Sequence, residues 1–248
     1  MRTKRFLICA FLGTWLFMAS TWAADFVRFR FCVLSNQLLS DVQYRSWPKG
    51  PEHPPEIIEL VKAGTTISME YEYVGPPTLV FQHPESEGES AFFSFDVSKL
   101  NPGCVFVFWR GAPAAPGEKG KWNCAPLNNF EKRFAKNRVA FFNFSGLPLA
   151  AKLGKKVYTP LPPFVEGIAL SKNFEVAAMA YWPQRDVAVN VWRTTMNFRD
   201  GYRYIGMFFP SPRYQKEGRP AVDFKLVTQL ADAKEAEKYE PTGPDVEL

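Results

Sequence analysis

Apolar and polar residues alternate along much of this chain, and that pattern predicts short β-strands. Residues 27–33 alternate bulky apolar side chains with arginines, which gives a strand one buried face and one exposed face. Residues 67–73 and 93–97 repeat the alternation with serine, glutamate or aspartate at the polar positions. Residues 104–109 are apolar at every position, which is typical of a central strand covered on both faces.

The second half of the chain shows similar strand patterns, again separated by turn residues. Its apolar or alternating runs occupy residues 139–144, 176–182, 187–192 and 204–209. In the first half, prolines and glycines that favour turns lie at residues 75–77, 102–103 and 116–117. The 23 phenylalanines suit pleated, half-buried surfaces, and no amphipathic helix of ordinary length is predicted before residue 231. The sequence therefore predicts an all-β fold.

The two halves also match each other, which indicates a duplication. The matched segments are residues 31–39 with 141–149 at an offset of 110, residues 73–81 with 181–189 at 108, and residues 106–127 with 206–227 at 100. About seven short strands per hundred residues are typical of an immunoglobulin-like sandwich. We therefore expect two tandem immunoglobulin-like antiparallel β-sandwich domains, residues 24–129 and 130–229. A polar tail, residues 230–248, is expected to form a short helical turn or a disordered end.

The first 23 residues have the layout of a secretory signal peptide. Arg2, Lys4 and Arg5 supply a basic start, residues 6–19 are almost entirely apolar, and Ala23 completes a small-residue cleavage pattern. The apolar run is short for a bilayer span, and an uncleaved membrane anchor is the alternative. The mature protein is therefore expected to be periplasmic or secreted.

The charge balance gives no reason to expect a nucleic acid partner. Three of the 30 basic residues and none of the 25 acidic residues belong to the predicted leader, so the net charge falls from +5 to +2 in the mature chain. Nucleic acid binding needs a dense basic face. Basic clusters at residues 132–138 and 152–156 are interpreted as exposed loops or strand edges, with a polyanion site as the alternative.

Three cysteines remain after the leader, and an odd number in an oxidising compartment predicts one disulfide and one thiol. Cys104 and Cys124 lie symmetrically about the turn at residues 112–116, so a hairpin would place them opposite each other. The predicted disulfide is therefore Cys104–Cys124. Cys32, on the polar side of its strand, is the predicted thiol, and a Cys32–Cys104 bridge between two sheets is the rival pairing.

The chain carries no recognisable catalytic or metal-binding motif. His53 and His83 each precede a proline, which favours extended backbone in surface loops over a helical metal-binding pair. The acidic residues between positions 85 and 96 are typical of a solvated hairpin loop. We expect no catalytic residue, metal or cofactor, and a hydrolase that uses these carboxylates is the least favoured hypothesis.

One tryptophan falls in a predicted loop. Trp47 belongs to the segment of residues 45–50, and a tryptophan ring in a loop can stack on a sugar. Together with its neighbours Tyr44 and Arg45, it forms the predicted ligand-binding set. The alternative is that Trp47 folds back over the first core, because aromatic side chains are buried more often than not.

A signal peptide followed by two sandwiches resembles the periplasmic pilus chaperones, in architecture only. Neither the basic cleft residues nor the hydrophobic donor-strand motif of that family can be placed on this chain, so its function is not implied. Residues 141–149, Phe-Phe-Asn-Phe-Ser-Gly-Leu-Pro-Leu, are similar to a segment of uncharacterised secreted bacterial proteins with tandem β-sandwich units. That resemblance implies no activity.

The sequence thus predicts an exported, non-catalytic binding or structural protein of the cell envelope. Its loops or an uncovered sheet edge would bind an envelope protein. A glycan-binding module built on Trp47 and nearby aromatic residues is the alternative. No transmembrane segment is expected once the leader is removed.

Overall fold

The structure, a computed structural model, describes residues 26–62, 67–83, 92–128, 137–171, 173–213 and 215–230. The predicted leader, the tail beyond residue 230, the acidic residues between 85 and 89, the junction of the two predicted domains and most of the basic cluster at 132–138 lie outside these ranges. Within these ranges the structure consists of β-strands and the loops between them, and its helical elements are three 3₁₀ helices of one turn each. The predicted all-β fold is confirmed.

Eight strands lie in the described part of each half. In the first half they are β1 (Val27–Ser35), β2 (Leu39–Ser46), β3 (Glu56–Lys62), β4 (Tyr71–Gly75), β5 (Thr78–Gln82), β6 (Phe93–Asp96), β7 (Cys104–Arg110) and β8 (Trp122–Leu127). In the second half they are β9 (Arg138–Asn143), β10 (Leu149–Leu153), β11 (Lys156–Tyr158), β12 (Phe164–Ala169), β13 (Phe174–Trp182), β14 (Val187–Met196), β15 (Tyr202–Pro210) and β16 (Val222–Leu230). The 3₁₀ turns are Val97–Lys99, Pro183–Arg185 and Lys216–Gly218.

These strands form four sheets of four strands each. Sheet A has the order β4-β1-β7-β8 and sheet B the order β3-β2-β5-β6, while sheet C is β12-β9-β15-β16 and sheet D is β11-β10-β13-β14. Adding eight to each strand number in sheets A and B reproduces sheets C and D. The parallel pairs correspond as well, because β1 pairs with β7 and β9 pairs with β15.

Three apolar layers hold the sheets in the order B, A, C, D. One layer lies between sheets A and B, and another between sheets C and D. The third joins sheet A to sheet C through Leu34, Val105, Val107, Leu127, Ala140, Phe142, Ile205, Met207, Phe209 and Val227. Strand β7 is therefore covered on both faces, as its continuous apolar run predicts, and its first five residues are buried.

Phe31 on β1 occupies the centre of the layer between sheets A and B. The rings of Tyr44, Phe81 and Phe106 meet it edge-on, with centroid separations of 5.4, 5.9 and 5.3 Å. Such pairs contribute about 0.5–1.5 kcal/mol each beyond the area they bury. The many phenylalanines therefore fill this layer with aromatic rings that pack edge-on against one another.

Sheet registers refine the internal match between the halves. The hairpins β7–β8 and β15–β16 share one register at the expected offset of 100. Between β1 and β9, however, the offset is 108 rather than 110, because Phe31 pairs with Cys104 and Val139 pairs with Tyr204. A slip of two residues leaves every side chain on its original face, so the alternation alone could not distinguish the two offsets.

The middle part of the match is wrong. Tyr73 lies on β4 and Tyr181 lies on β13, but the counterpart of β4 in the strand order is β12. Strand β13 has nine residues whereas its counterpart β5 has five, so the strands and the turns between them differ in length. Apolar alternation fits any half-buried strand and therefore matched two strands that are not equivalent.

At one position of the core, the two halves exchange the strand that supplies the large side chain. In the first half, Val33 on β1 lies beside Phe106 on β7; in the second, Phe141 on β9 lies beside Gly206 on β15. A Cβ atom added to Gly206 would lie 2.5 Å from Cε1 of Phe141, well inside van der Waals contact. The glycine is therefore required by the ring that fills its space.

The predicted Cys104–Cys124 disulfide is not formed, and all three described cysteines are thiols. Residue 124 lies opposite Phe108, because the β7–β8 hairpin is centred on residue 116 rather than on 114. Four residues of strand then separate Cys104 from the position opposite Cys124, about 13 Å at ~3.3 Å per residue. A disulfide needs Cα atoms within about 7 Å.

The rival pairing fails for a different reason. Cys32 lies opposite Val105, one position from Cys104, in neighbouring strands of the same sheet. Its side chain packs against the layer between sheets A and C, whereas the Cys104 side chain lies in the layer between sheets A and B. The two thiols therefore lie on opposite faces of sheet A.

Substitution of Gly206 by alanine should destabilise the protein by about 1–3 kcal/mol, because the core beside Phe141 has no room for a methyl group. Urea titration followed by tryptophan fluorescence measures the change. Gly111→Ala is the matched control, since an added Cβ there meets its nearest atoms at 3.5 Å. Combining Gly206→Ala with Phe141→Val should cost less than the sum of the two single changes; strict additivity would contradict the exchange.

Stability should fall steeply between about pH 9 and pH 12. Burial raises the pKa of Cys104 and of Tyr73 to about 12, whereas both groups in the unfolded chain titrate near their ordinary values. The unfolded state then binds fewer protons, so the free energy of unfolding falls with rising pH by about 1.4 kcal/mol per pH unit for each group. Urea titrations at pH 8, 10 and 11 test this. Cys104→Ala should show a shallower decline, and an unchanged slope would count against the assignment.

Candidate functional site

The structure separates the three residues of the predicted ligand-binding set. Tyr44 is fully buried, with 0% of its surface exposed, and its hydroxyl donates a hydrogen bond to the Glu72 carbonyl at 2.9 Å. Burial also raises the pKa of Tyr44 far above its ordinary value. Its assignment as a ligand contact is therefore wrong, because β2 continues through Ser46 and turns Tyr44 into the core.

Arg45 and Trp47 lie on either side of that strand end. Arg45 is exposed on the outer face of sheet B, opposite Ile57. Trp47 is half-buried and meets Phe26 edge-on at 5.9 Å, while its backbone N–H donates to the Val74 carbonyl at 2.7 Å. Trp47 is therefore tied to sheet A through its backbone, and its ring contacts Phe26 just before β1.

The candidate catalytic groups do not converge in the described residues. Asp96 accepts hydrogen bonds from the side chains of Lys99 and Ser98, which lower its pKa. His53 is exposed beside Glu52, as predicted, but His83 is buried, so its placement in a surface loop is wrong. Among the described residues, no three His, Cys, Asp or Glu side chains lie close enough together to hold a metal ion.

Strand β13 is the most informative surface feature. Residues 176–182 are apolar at every position, the same pattern that marks β7 as covered on both faces. Yet sheet D is outermost, and within the described ranges only the inner face of β13 is packed against another sheet. Met179 and Tyr181 remain 43% and 52% exposed on the outer face.

The outer face of sheet D, named here the D face, combines the apolar β13 with both apolar and polar side chains of the neighbouring strands. Register pairs β13 with β10 and β14 so that outward side chains form rows across the sheet. The D face consists of Ala150, Lys152, Val157, Glu175, Ala177, Met179, Tyr181, Ala188, Asn190, Arg193 and Thr195. Its Val157 side chain is 70% exposed.

The charged groups of the D face form one small ion-pair cluster. The Glu175 carboxylate lies 2.6 Å from Nζ of Lys152 and 3.1 Å from Nη2 of Arg193. The hydrogen bond from Lys152 is the main reason that the pKa of Glu175 is lowered. The Tyr181 hydroxyl in turn donates to the Asp186 carboxylate, which raises the pKa of Tyr181. Each of these groups already has a partner within the chain, although the two cations exceed the Glu175 carboxylate by one charge.

The outer face of sheet B, named here the B face, provides an internal comparison. It consists of Gln43, Arg45, Ile57, Glu59, Thr78, Val80, Gln82, Ser94 and Asp96. Most of these side chains are polar, and Ile57 is the large apolar residue exposed on it, at 60%. Two faces in equivalent positions of the fold therefore differ in chemistry, and the more apolar D face is the candidate binding surface.

Comparisons with known proteins return no match, either among models of protein families or among curated protein sequences. Within the described ranges, no helix has the length and apolar character needed to cross a membrane.

Replacing Trp47 by alanine should lower the free energy of unfolding by about 1–3 kcal/mol, because the half-buried ring loses its packing against Phe26. Arg45→Ala, two residues away and exposed, is the control and should change stability by less than about 0.5 kcal/mol. Urea titration measures both. A Trp47→Ala protein as stable as the parent would mean that the ring has no packing role.

Proposed function

We propose that this chain is an exported, non-catalytic binding protein of the cell envelope whose D face docks a protein partner. The observation that carries the proposal is the apolar β13 in an outermost sheet. Soluble proteins rarely leave contiguous apolar surface exposed unless it binds something. Export is supported by the leader-like first 23 residues.

We further propose that residues 24–129 and 130–229 are two immunoglobulin-like domains. The strand order of sheets A and B recurs in sheets C and D, including the parallel pairing of the first strand of each half. Each half also encloses its own apolar layer. On this proposal, the layer between sheets A and C is the interface between the domains.

The chemistry of the D face favours binding over catalysis. Its carboxylate is held between two cations, and its phenol is bonded to Asp186. A catalytic acid or base must be available to exchange a proton with a substrate, whereas paired charges and exposed apolar groups are typical of a protein interface. The D face is preferred to the Trp47 loop because its aromatic residue, Tyr181, is exposed on a sheet. The Trp47 ring, by contrast, is half-buried and contacts Phe26.

Recovery of partner proteins from envelope extracts tests this proposal. Met179→Glu and Tyr181→Glu should each reduce recovery of a specific partner by about tenfold or more, because each places a charge where apolar area is to be buried. The side chains of Met179 and Tyr181 are exposed, so the fold should be retained, although Tyr181→Glu also removes the hydrogen bond to Asp186. Ile57→Glu on the B face is the matched control, since it also charges an exposed apolar position on an outer sheet.

Only proteins whose recovery falls with the D face variants and persists with Ile57→Glu count as partners. Quantitative mass spectrometry of the recovered material provides the measurement. If every recovered protein responds equally to all three variants, the D face is not the binding surface.

A further inference from the structure

Among the described residues, the four sheets have eight edge strands, and each of them carries at least one feature that discourages pairing with another chain. Strands β4, β6 and β11 have only five, four and three residues. Strand β8 contains Pro126, β12 is interrupted by a bulge, β3 carries Glu56 and Glu59, and β16 carries Asp223 and Lys225. Short length, proline, bulges and charges are the usual means by which edges avoid association.

Strand β14 carries the fewest of these features, because a bulge is the one it has. It is the longest strand described, with ten residues, Val187–Met196, and it contains no proline and a single charge, Arg193. None of its ten residues is buried, even though half of them point toward the core of the second sandwich. Within the described ranges, its outer edge therefore offers a long row of backbone groups and several half-covered apolar side chains.

The bulge in β14 determines where the two-fold axis of a self-complementary pairing can lie. Trp192 pairs with Ala178 and Asn190 pairs with Met179, so Val191 is the extra residue. The extra residue reverses the alternation at its midpoint: residues 187 and 189 point inward on one side of it, and residues 192, 194 and 196 do so on the other. An antiparallel copy related by a two-fold axis between residues 191 and 192 then matches inward with inward and outward with outward positions.

The resulting pairs are compatible in charge and size. Asn190 would lie opposite Arg193 of the second copy, where an amide oxygen can accept from the guanidinium. Ala188 would lie opposite Thr195, and Val189 opposite Thr194, so no like charges meet across the axis. A regular strand without the bulge would match inward with outward positions in this register.

We propose that two copies of this chain pair through β14 and join their D sheets into one continuous eight-stranded sheet. Four residue pairs form on each side of the axis, between residues 187–190 of one copy and 193–196 of the other. The pairing covers the apolar side chains of β14 and brings the two D faces together as a single surface. The inference goes beyond the proposed function and does not depend on it.

The test is sedimentation equilibrium of the purified chain across a concentration series, with substitutions at Asn190. Asn190→Lys places a second cation opposite Arg193 twice in the symmetric dimer, so the dissociation constant should rise about tenfold or more at low salt. Asn190→Glu creates an attractive pair at the same two places and should lower it. The side chains of Asn190 and Arg193 are exposed in the monomer. Circular dichroism checks that the variants retain the fold.

Ser94→Lys is the matched control, because it adds the same charge to an exposed outward position on an edge strand of sheet B. It should leave the dissociation constant unchanged. A parent chain that remains monomeric at every concentration overturns the proposal. So does a dimer that responds equally to Asn190→Lys and Ser94→Lys, or one that Asn190→Glu weakens as much as Asn190→Lys.

Discussion

Burial of sheets A and C on both faces is the constraint on which the rest of this structure depends. A sheet at the surface can alternate apolar with polar side chains, but one inside a stack must be apolar on both sides. Strand β7 meets that requirement, and β15 has six consecutive buried residues. Trp109 and Phe144 close one end of the shared layer, with ring centroids 4.6 Å apart. Because both faces of the two inner sheets are covered, the B and D faces are the sheet faces that the described residues leave open.

Local patterns carried the prediction of the fold, and they were ambiguous where the fold depends on more distant contacts. The alternation around Phe31 and the continuous apolar run of β7 were sufficient to recognise strands of the correct kind. The same alternation is unchanged by a two-residue slip, which is why the offset between β1 and β9 was misjudged. The centre of the β7–β8 hairpin also could not be located inside a long turn containing several prolines and glycines. An error of two residues there moved the cysteine pairing by four.

The misplacement of Tyr44 has a comparable physical cause. The register of β2 shifts between Leu39 and Val42, so its inward positions do not keep a period of two and its pattern does not predict a strand.

The sequence does not predict the D face, for a different reason. Strand β13 has the pattern of a doubly covered strand, and a sequence cannot say whether the second cover comes from the same chain or from another molecule. The sheet order, which places β13 in an outermost sheet, supplies the missing information.

The stack of four sheets also has a mechanical consequence. Sheets packed face to face lie about 10 Å apart, so the B and D faces are held roughly 30 Å from each other by three solid layers of side chains. Two molecules attached to these opposite surfaces would be kept at a constant spacing, as by a rigid ruler rather than a flexible tether.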